Sequence, residues 1–184
     1  MRIVHAISAA FVLVLVACGQ AAAPTDAEAQ PTGQAAAPAA GAEITDADKA
    51  AILRAIGLAA ANAQGDVMNE CGELSTPQYV IAPLGGGAGN GILFAMGGGP
   101  TTASCYGDGH LLYLFVRDGA GLRQVYDARG RVFVLMTSTT NGVRDIVDGG
   151  PGFSFPLWTW NGTTYEYNDR TVADSALGDA TFLP

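Results

Sequence analysis

Apolar and polar residues alternate along the second half of the chain in short stretches, and glycine-rich turns separate these stretches. The pattern indicates β-strands, because a strand places successive side chains on opposite faces. Stretches 111–116 and 132–136 are continuously apolar, which predicts central strands covered on both faces. The predicted strands are 78–83, 91–96, 110–117, 122–127, 131–138, 143–147, 155–160 and 163–168.

Three connections between these strands carry turn signals. Residues 118–121 (Asp-Gly-Ala-Gly) link two apolar runs, and Asn161-Gly162 is the strongest short signal for a two-residue hairpin. The glycine-rich stretch 85–91 resembles a phosphate-binding loop only in composition. It lacks the Gly-Lys-Ser/Thr sequence and leads into a strand, so we expect a hairpin loop.

A helical pattern precedes the strands. Thr45 can cap a helix, and Asp46 and Asp48 lie in the first turn, where the helix dipole favours acidic residues. Apolar residues then recur at helical spacing as far as Ala63, and Gly65 follows. This predicts a helix of about 18 residues.

Together these patterns predict an α+β fold. One N-terminal helix would pack on a mainly antiparallel β-meander or small barrel. We expect a single globular domain over residues 43–184, with a loose tail over 170–184.

The first 18 residues have the layout of an export signal. Arg2 supplies the positive start, and an apolar stretch of about 12 residues follows over 6–17, shorter than the ~20 residues that cross a membrane. Residues 15–18 read Leu-Val-Ala-Cys, which resembles the lipobox of bacterial lipoproteins. The resemblance implies a signal peptide over 1–17, cleavage before Cys18, and fatty acyl chains such as palmitate on that residue.

The lipoprotein resemblance also implies a location. Two or more acyl chains anchor a protein stably to a bilayer. Gly19 follows the cysteine, which by resemblance to Gram-negative sorting rules favours the outer membrane, with the protein facing the periplasm. The alternative is an ordinary secretory signal cut near residues 21–23. Residues 18–42 are rich in Ala, Pro and Gln without apolar periodicity, which predicts a disordered linker behind the anchor.

The charge of the chain narrows the range of partners. The chain has 9 basic and 17 acidic residues, a formal net charge of −8, and loss of the signal removes Arg2 as well. An acidic surface repels phosphate backbones, so nucleic acid is a poor partner. We expect contact with the membrane through the lipid anchor and with an envelope protein or the cell-wall glycan.

Of the three cysteines, Cys18 is assigned to the lipid, which leaves Cys71 and Cys105. An even pair in a chain destined for an oxidising compartment favours a disulfide. The alternative is two separate buried thiols.

The most informative local feature is a row of aromatic residues around Asn161-Gly162. With a two-residue turn there, Trp158 would face Tyr165, and Trp158, Trp160, Tyr165 and Tyr167 would share one side of the hairpin. The row has two interpretations: part of the core, or an exposed binding face on which sugar rings stack. Residues 145–165 resemble the terminal hairpins of uncharacterised periplasmic and secreted bacterial proteins, a resemblance that implies no activity and no metal.

Candidate catalytic chemistry is sparse, and we assign no catalytic residue, metal site or cofactor. The mature chain has one histidine, His110, whereas zinc sites use several His or Cys ligands. Cys105 and His110 could form a nucleophilic pair, but Cys105 is not a nucleophile once it is oxidised. Carboxylates could pair for glycoside hydrolysis. The candidate carboxylates are Asp108, Asp127, Asp145, Asp148 and Glu166.

Two functions are therefore expected. The first is a non-enzymatic binding module in the cell envelope. The alternative is a hydrolase that acts on glycan or the cell wall with two of these carboxylates.

Overall fold

A computed structural model describes residues 43–97, 103–107, 109–149, 152 and 154–184. The predicted signal peptide, Cys18, the linker up to residue 42 and Asp108 lie outside these residues. The described chain opens with helix α1 (Asp46–Ala55) and a two-stranded ribbon of β1 (Val67–Met68) and β2 (Leu74–Ser75). No helix in the described part is both long and apolar enough to cross a membrane.

Two larger antiparallel sheets follow, and all eight predicted strands are present in them. The first sheet contains, in spatial order, β3 (Gln78–Gly85), β4 (Gly89–Gly97), β5 (His110–Asp118) and β6 (Gly121–Gly130). A short helix, α2 (Ala103–Tyr106), lies between β4 and β5. The second sheet consists of β7 (Val132–Thr140), β8 (Val143–Gly149), β9 (Ser154–Trp160), β10 (Tyr165–Ala173) and β11 (Thr181–Leu183), in the spatial order β10-β9-β8-β7-β11.

The predicted α+β class is wrong. The described residues are mainly β, and none of their three sheets closes, so the small barrel is wrong as well. The helix begins after Thr45 as expected but has 10 residues and ends at Ala55. Gly57 has a φ of +77° and the amide of Leu58 donates to the carbonyl of Leu53, an arrangement that ends helices.

The two large sheets pack on each other and enclose the main core. Leu112 and Leu114 of β5 face the second sheet, whereas Leu111 and Phe115 face away from it, as the period of two requires. Every strand from β3 to β10 contributes to this core. Its largest fully buried members include Leu84, Leu93, Leu112, Leu114, Phe133, Leu135 and Ile146.

Each sheet is also covered on its outer face, which explains the continuously apolar strands. Ile52 and Leu53 of α1 pack with Phe94 and Phe115 on the first sheet. The second sheet buries an outer cluster that includes Leu177. Burial on both faces removes the polar side that a half-exposed strand shows.

Residues 170–184, expected as a loose tail, are ordered against the second sheet. β10 extends to Ala173, a 3₁₀ turn follows at Asp174–Ala176, and β11 pairs with β7. Leu177 is 7% exposed, because it fills the outer cluster of the sheet. The segment lacks a clear alternating pattern, which is why its order was not predicted.

A disulfide joins Cys71 to Cys105, the pairing that the sequence favours, with 5.8 Å between the two Cα atoms. Cys71 lies in the turn between β1 and β2, and Cys105 lies in α2. The bond therefore ties the N-terminal ribbon to the connection between β4 and β5.

Candidate functional site

The aromatic hairpin forms, but with a different register from the one predicted. Trp160 pairs with Tyr165 and Trp158 pairs with Tyr167, so the connection has four residues, 161–164, and not two. The Asn161 side chain explains the longer turn, because its Oδ1 accepts from the amides of Thr163 and Thr164, both at 2.9 Å. The shift is two residues, so the four aromatic residues still share one side.

The four rings do not form an open platform. Trp160 and Tyr165 are 5% and 6% exposed and belong to the main core. Trp158 is half-buried, and Tyr167 is 43% exposed. The core interpretation therefore holds for Trp160 and Tyr165, while Trp158 and Tyr167 continue the row towards the solvent.

A pocket of about 260 Å³ lies where strand β6 meets this hairpin, and we call it the aromatic pocket. It is found between the edge strand of the first sheet and the β9–β10 end of the second. Its lining residues are Gln124, Val125, Tyr126, Asp127, Trp158, Thr164 and Tyr165.

A β-bulge in β6 shapes one wall of the pocket. Leu114 pairs with Tyr126 and Phe115 pairs with Gln124, so Val125 is the extra residue. Val125 and Tyr126 are consecutive, yet both are buried in the main core. A bulge re-aims side chains in this way, and alternation alone cannot predict it.

Two hydrogen bonds fasten the hairpin turn to β6. The Thr164 hydroxyl donates to the carbonyl oxygen of Val125 at 2.6 Å, and the Arg123 guanidinium donates to the carbonyl oxygen of Thr163. The Thr164 bond uses the carbonyl oxygen of the bulge residue Val125, where the hydrogen bonding between β5 and β6 is interrupted. The pocket walls are thereby held in a fixed relative position.

The aromatic rings of the pocket meet edge to face. The Tyr126 ring lies 5.2 Å from Trp158 at an interplanar angle of 77°, and 6.4 Å from Tyr165 at 81°. Tyr167 lies 5.7 Å from Trp158 on the solvent side. These are favourable aromatic geometries, so the rings stabilise one another in the wall of the pocket.

One carboxylate, Asp127, lines the aromatic pocket, and a second, Asp148, bonds to the lining residue Trp158. Asp127 is exposed on the rim and accepts a hydrogen bond from Gln124 Nε2 at 3.0 Å. Asp148 is half-buried and accepts from Trp158 Nε1 at 2.9 Å. The Asp148 bond orients the indole ring that lines the pocket.

The Tyr126 hydroxyl is buried and has no hydrogen-bond partner of regular geometry among the described residues. Burial raises the pKa of Tyr126 far above its usual range, and the negative charges of Asp148 and Asp127 raise it further. The phenol is therefore neutral at every physiological pH, and it experiences the field of two carboxylates.

The other candidate carboxylates are placed elsewhere. Asp145 is 3% exposed and accepts from the Ser138 hydroxyl at 2.7 Å. Glu166 is exposed and accepts from Asn161 Nδ2 at 3.1 Å. Neither lines the aromatic pocket, so among the candidate carboxylates that the structure describes, Asp127 alone is a lining residue.

The remaining candidates for chemistry are in structural positions. Cys105 is oxidised in the disulfide, and His110 Nδ1 lies 3.2 Å from the carbonyl oxygen of Arg131. Within the described ranges, no three side chains of His, Cys, Asp or Glu gather closely enough to hold a metal ion.

A second opening, of about 330 Å³, lies between α1, residues 60–65 and the start of β3. Its charged pair, Asp46 and Lys49, is joined internally at 3.2 Å. The amide of Asn62 is likewise occupied by Asp66 and the backbone. Its polar groups thus belong to an exposed ion pair and a local turn, whereas the aromatic pocket combines buried rings with an exposed carboxylate, so we consider the aromatic pocket the better candidate site.

Sequence reasoning identified Trp158 and Tyr165 but missed Gln124, Tyr126 and Thr164 as pocket residues. Tyr126 and Trp158 are 32 positions apart, and only the packing of the two sheets brings them together. The signal in the sequence is a break in alternation, where the polar pair Arg123-Gln124 is followed by the apolar pair Val125-Tyr126.

Comparison with protein-family models, curated proteins and solved structures gives no match for this chain.

Proposed function

We propose that this protein is a non-enzymatic binding module of the bacterial cell envelope, anchored by lipid at Cys18 to the outer membrane and facing the periplasm. The aromatic pocket is its binding site for another envelope macromolecule. The observation that carries the proposal is the pocket itself, which is lined by the half-buried Trp158 and by the exposed carboxylate of Asp127. Pre-organised aromatic and polar groups in a concave site are typical of binding sites.

The partner we favour is an envelope protein over the cell-wall glycan. A glycan platform needs ring faces that are open to flat stacking, and two of the four rings are buried. A pocket of about 260 Å³ suits one protruding group, such as a side chain. The disulfide between Cys71 and Cys105 supports a location outside the cytoplasm, because disulfides persist in oxidising compartments.

The lipid anchor is tested by labelling. Bacteria that express the protein are fed labelled palmitate, and the membrane fraction is compared with that of a Cys18→Ser variant. We expect label in the wild type alone and release of the variant from the membrane. Absence of label, with unchanged fractionation of the variant, would contradict the anchor.

The binding role is tested with the full-length protein, purified in nonionic detergent and immobilised. Envelope extract and cell-wall sacculi are passed over the wild type, Asp127→Arg and the control Asp179→Arg. Asp179 is exposed and does not line the pocket, so the control reverses the same charge elsewhere. We expect a protein that the wild type and the control retain and Asp127→Arg loses.

Three results would each contradict a different part of the proposal. Equal retention by all three proteins would show that the pocket is not involved. Retention of sacculi alone would identify a glycan partner. Release of soluble sugar fragments from the sacculi would favour the hydrolase alternative.

A further inference from the structure

The described side chains that line the aromatic pocket are acidic or neutral. Within the described ranges no Lys, Arg or His lines it, and neither Asp127 nor Asp148 takes part in the ion pairs found there. Arg123, next to the lining residues of β6, is engaged by the carboxylate of Asp118 and by the carbonyl oxygen of Thr163. The whole chain carries a formal charge of −8, which adds to the local field. A ligand that brings positive charge would therefore be attracted, and an anionic one repelled.

The aromatic surface has the same electrostatic preference. The face of an indole is the most favourable aromatic surface for a cation, and a phenol face is also attractive. Trp158 lies on the pocket wall with its N–H fixed by Asp148, and Tyr167 packs 5.7 Å from it on the solvent side. The aromatic wall and the carboxylate of Asp127 thus favour the same kind of ligand.

Hydrogen-bond acceptors at the rim narrow the choice of cation. Asp127 uses one oxygen, Oδ1, to accept from Gln124, which leaves Oδ2 and the amide oxygen of Gln124 as acceptors. A quaternary ammonium ion has no N–H to donate to them. A primary ammonium ion has three donors and a small head.

We infer that the aromatic pocket binds a primary ammonium group, such as a lysine side chain or the amino terminus of a protein partner. The inference rests on the proposed function and specifies the chemistry of the bound group. The ammonium lies against Trp158, donates to the carboxylate of Asp127, and its alkyl stem leaves the pocket towards the partner.

The test uses two ligands that differ mainly in charge. n-Butylammonium and n-butanol are similar in length, and the amine stays protonated at pH 7 because alkylammonium groups have a pKa near 10. The full-length protein in nonionic detergent is labelled with ¹⁵N at the indole nitrogens. Its two tryptophans give two signals, of which Trp160, buried in the core, is an internal control.

We expect n-butylammonium to shift the Trp158 indole signal in a saturable manner and to leave Trp160 unchanged. n-Butanol should cause no shift at the same concentrations. Asp127→Asn should weaken the binding of n-butylammonium about three- to fivefold, because an exposed charge pair contributes modestly. The control Asp179→Asn, which removes the same charge elsewhere, should change it less than twofold.

Two results would overturn the inference. If n-butanol shifts Trp158 as strongly, the pocket selects an apolar chain and not a cation. If n-butylammonium shifts neither tryptophan, the pocket does not take an ammonium group. In both cases, Asp127-dependent retention of an envelope protein would still support the proposed function. If neither that retention nor the shift by n-butylammonium is observed, the proposed function and the inference are both contradicted.

Discussion

The side chain of Asp48 connects helix α1 to strand β5 of the first sheet by hydrogen bonds. Its Oδ2 accepts from the backbone amide and the hydroxyl of Thr45, at 2.9 and 2.8 Å, which completes the capping box of the helix. Arg117 at the end of β5 donates to both carboxylate oxygens, at 2.9 and 3.0 Å. The Arg117 side chain is 40% exposed, so solvent screens part of this attraction.

The carboxylate of Asp48 makes the stability of the fold depend on pH. The hydrogen bonds from Arg117, opposed by burial and aided by Thr45, lower the pKa of Asp48 to about 2. A lowered pKa in the folded state stabilises the fold above the unfolded value near 4, and this contribution is lost as the pH falls from about 4 towards 2. We expect Asp48→Asn to lose about 1–2 kcal/mol at pH 7.

Urea unfolding of the wild type and Asp48→Asn at several pH values checks this prediction. The difference in unfolding free energy should shrink as the pH falls from 5 to 2. A difference that stays constant over this range would show that the Asp48 charge does not stabilise the fold.

Gly86 is a position where only glycine fits. It lies in the 3₁₀ turn between β3 and β4 with a φ of +51°, and a Cβ there would lie 2.6 Å from the carbonyl oxygen of Gly142. We expect Gly86→Ala to lose about 1–3 kcal/mol of stability in urea unfolding. Gly87→Ala is the matched control, because a Cβ at Gly87 meets nothing within 4 Å. Equal losses for both variants would contradict the close approach of the two turns.

At the scale of elements, regular alternation was sufficient to predict the strands but not their irregularities. The turn predicted at residues 118–121 forms, and it is tighter than the predicted strand ends imply, since Asp118 pairs with Gly121. The helix was predicted too long, because the weak apolar series continues past Gly57 while the backbone does not. The bulge at Val125 was missed, because it depends on contacts with another sheet.

The C-terminal segment, residues 170–184, is expected to stabilise the second sheet through Leu177. Leu177 is 7% exposed in the outer cluster of the second sheet, whereas Phe182 of β11 is 56% exposed. Leu177→Ala should therefore lose about 2–4 kcal/mol, and the control Phe182→Ala less than about 1 kcal/mol, in urea unfolding. If the losses are reversed, the segment does not pack as described.

The disulfide acts at the scale of the whole molecule. It closes a loop between residues 34 positions apart, which reduces the conformational freedom of the unfolded chain. We expect the double variant Cys71→Ser with Cys105→Ser to lose up to about 4 kcal/mol. Addition of a reducing agent should lower the stability of the wild type by a similar amount and leave the variant unchanged. An unaltered wild type under reducing conditions would contradict this role of the bond.

The candidate site also depends on the packing of the whole molecule. Sequence reasoning predicted the aromatic row because its members are neighbours in the chain. It could not predict the aromatic pocket, because Asp127 and Trp158 belong to different sheets and meet only when the sheets pack. The chemistry of the site is therefore a property of the packed molecule.

The proposed function requires that the aromatic pocket engages a partner in the envelope. The most direct test places a photoreactive side chain at Gln124, which is exposed and lines the pocket, and at Asp179 as the control, in the full-length protein within living bacteria. We predict that irradiation gives a discrete cross-linked protein from position 124 and not from position 179, and that Asp127→Arg abolishes it. Cross-links of equal yield from both positions, or none from position 124, would contradict the account.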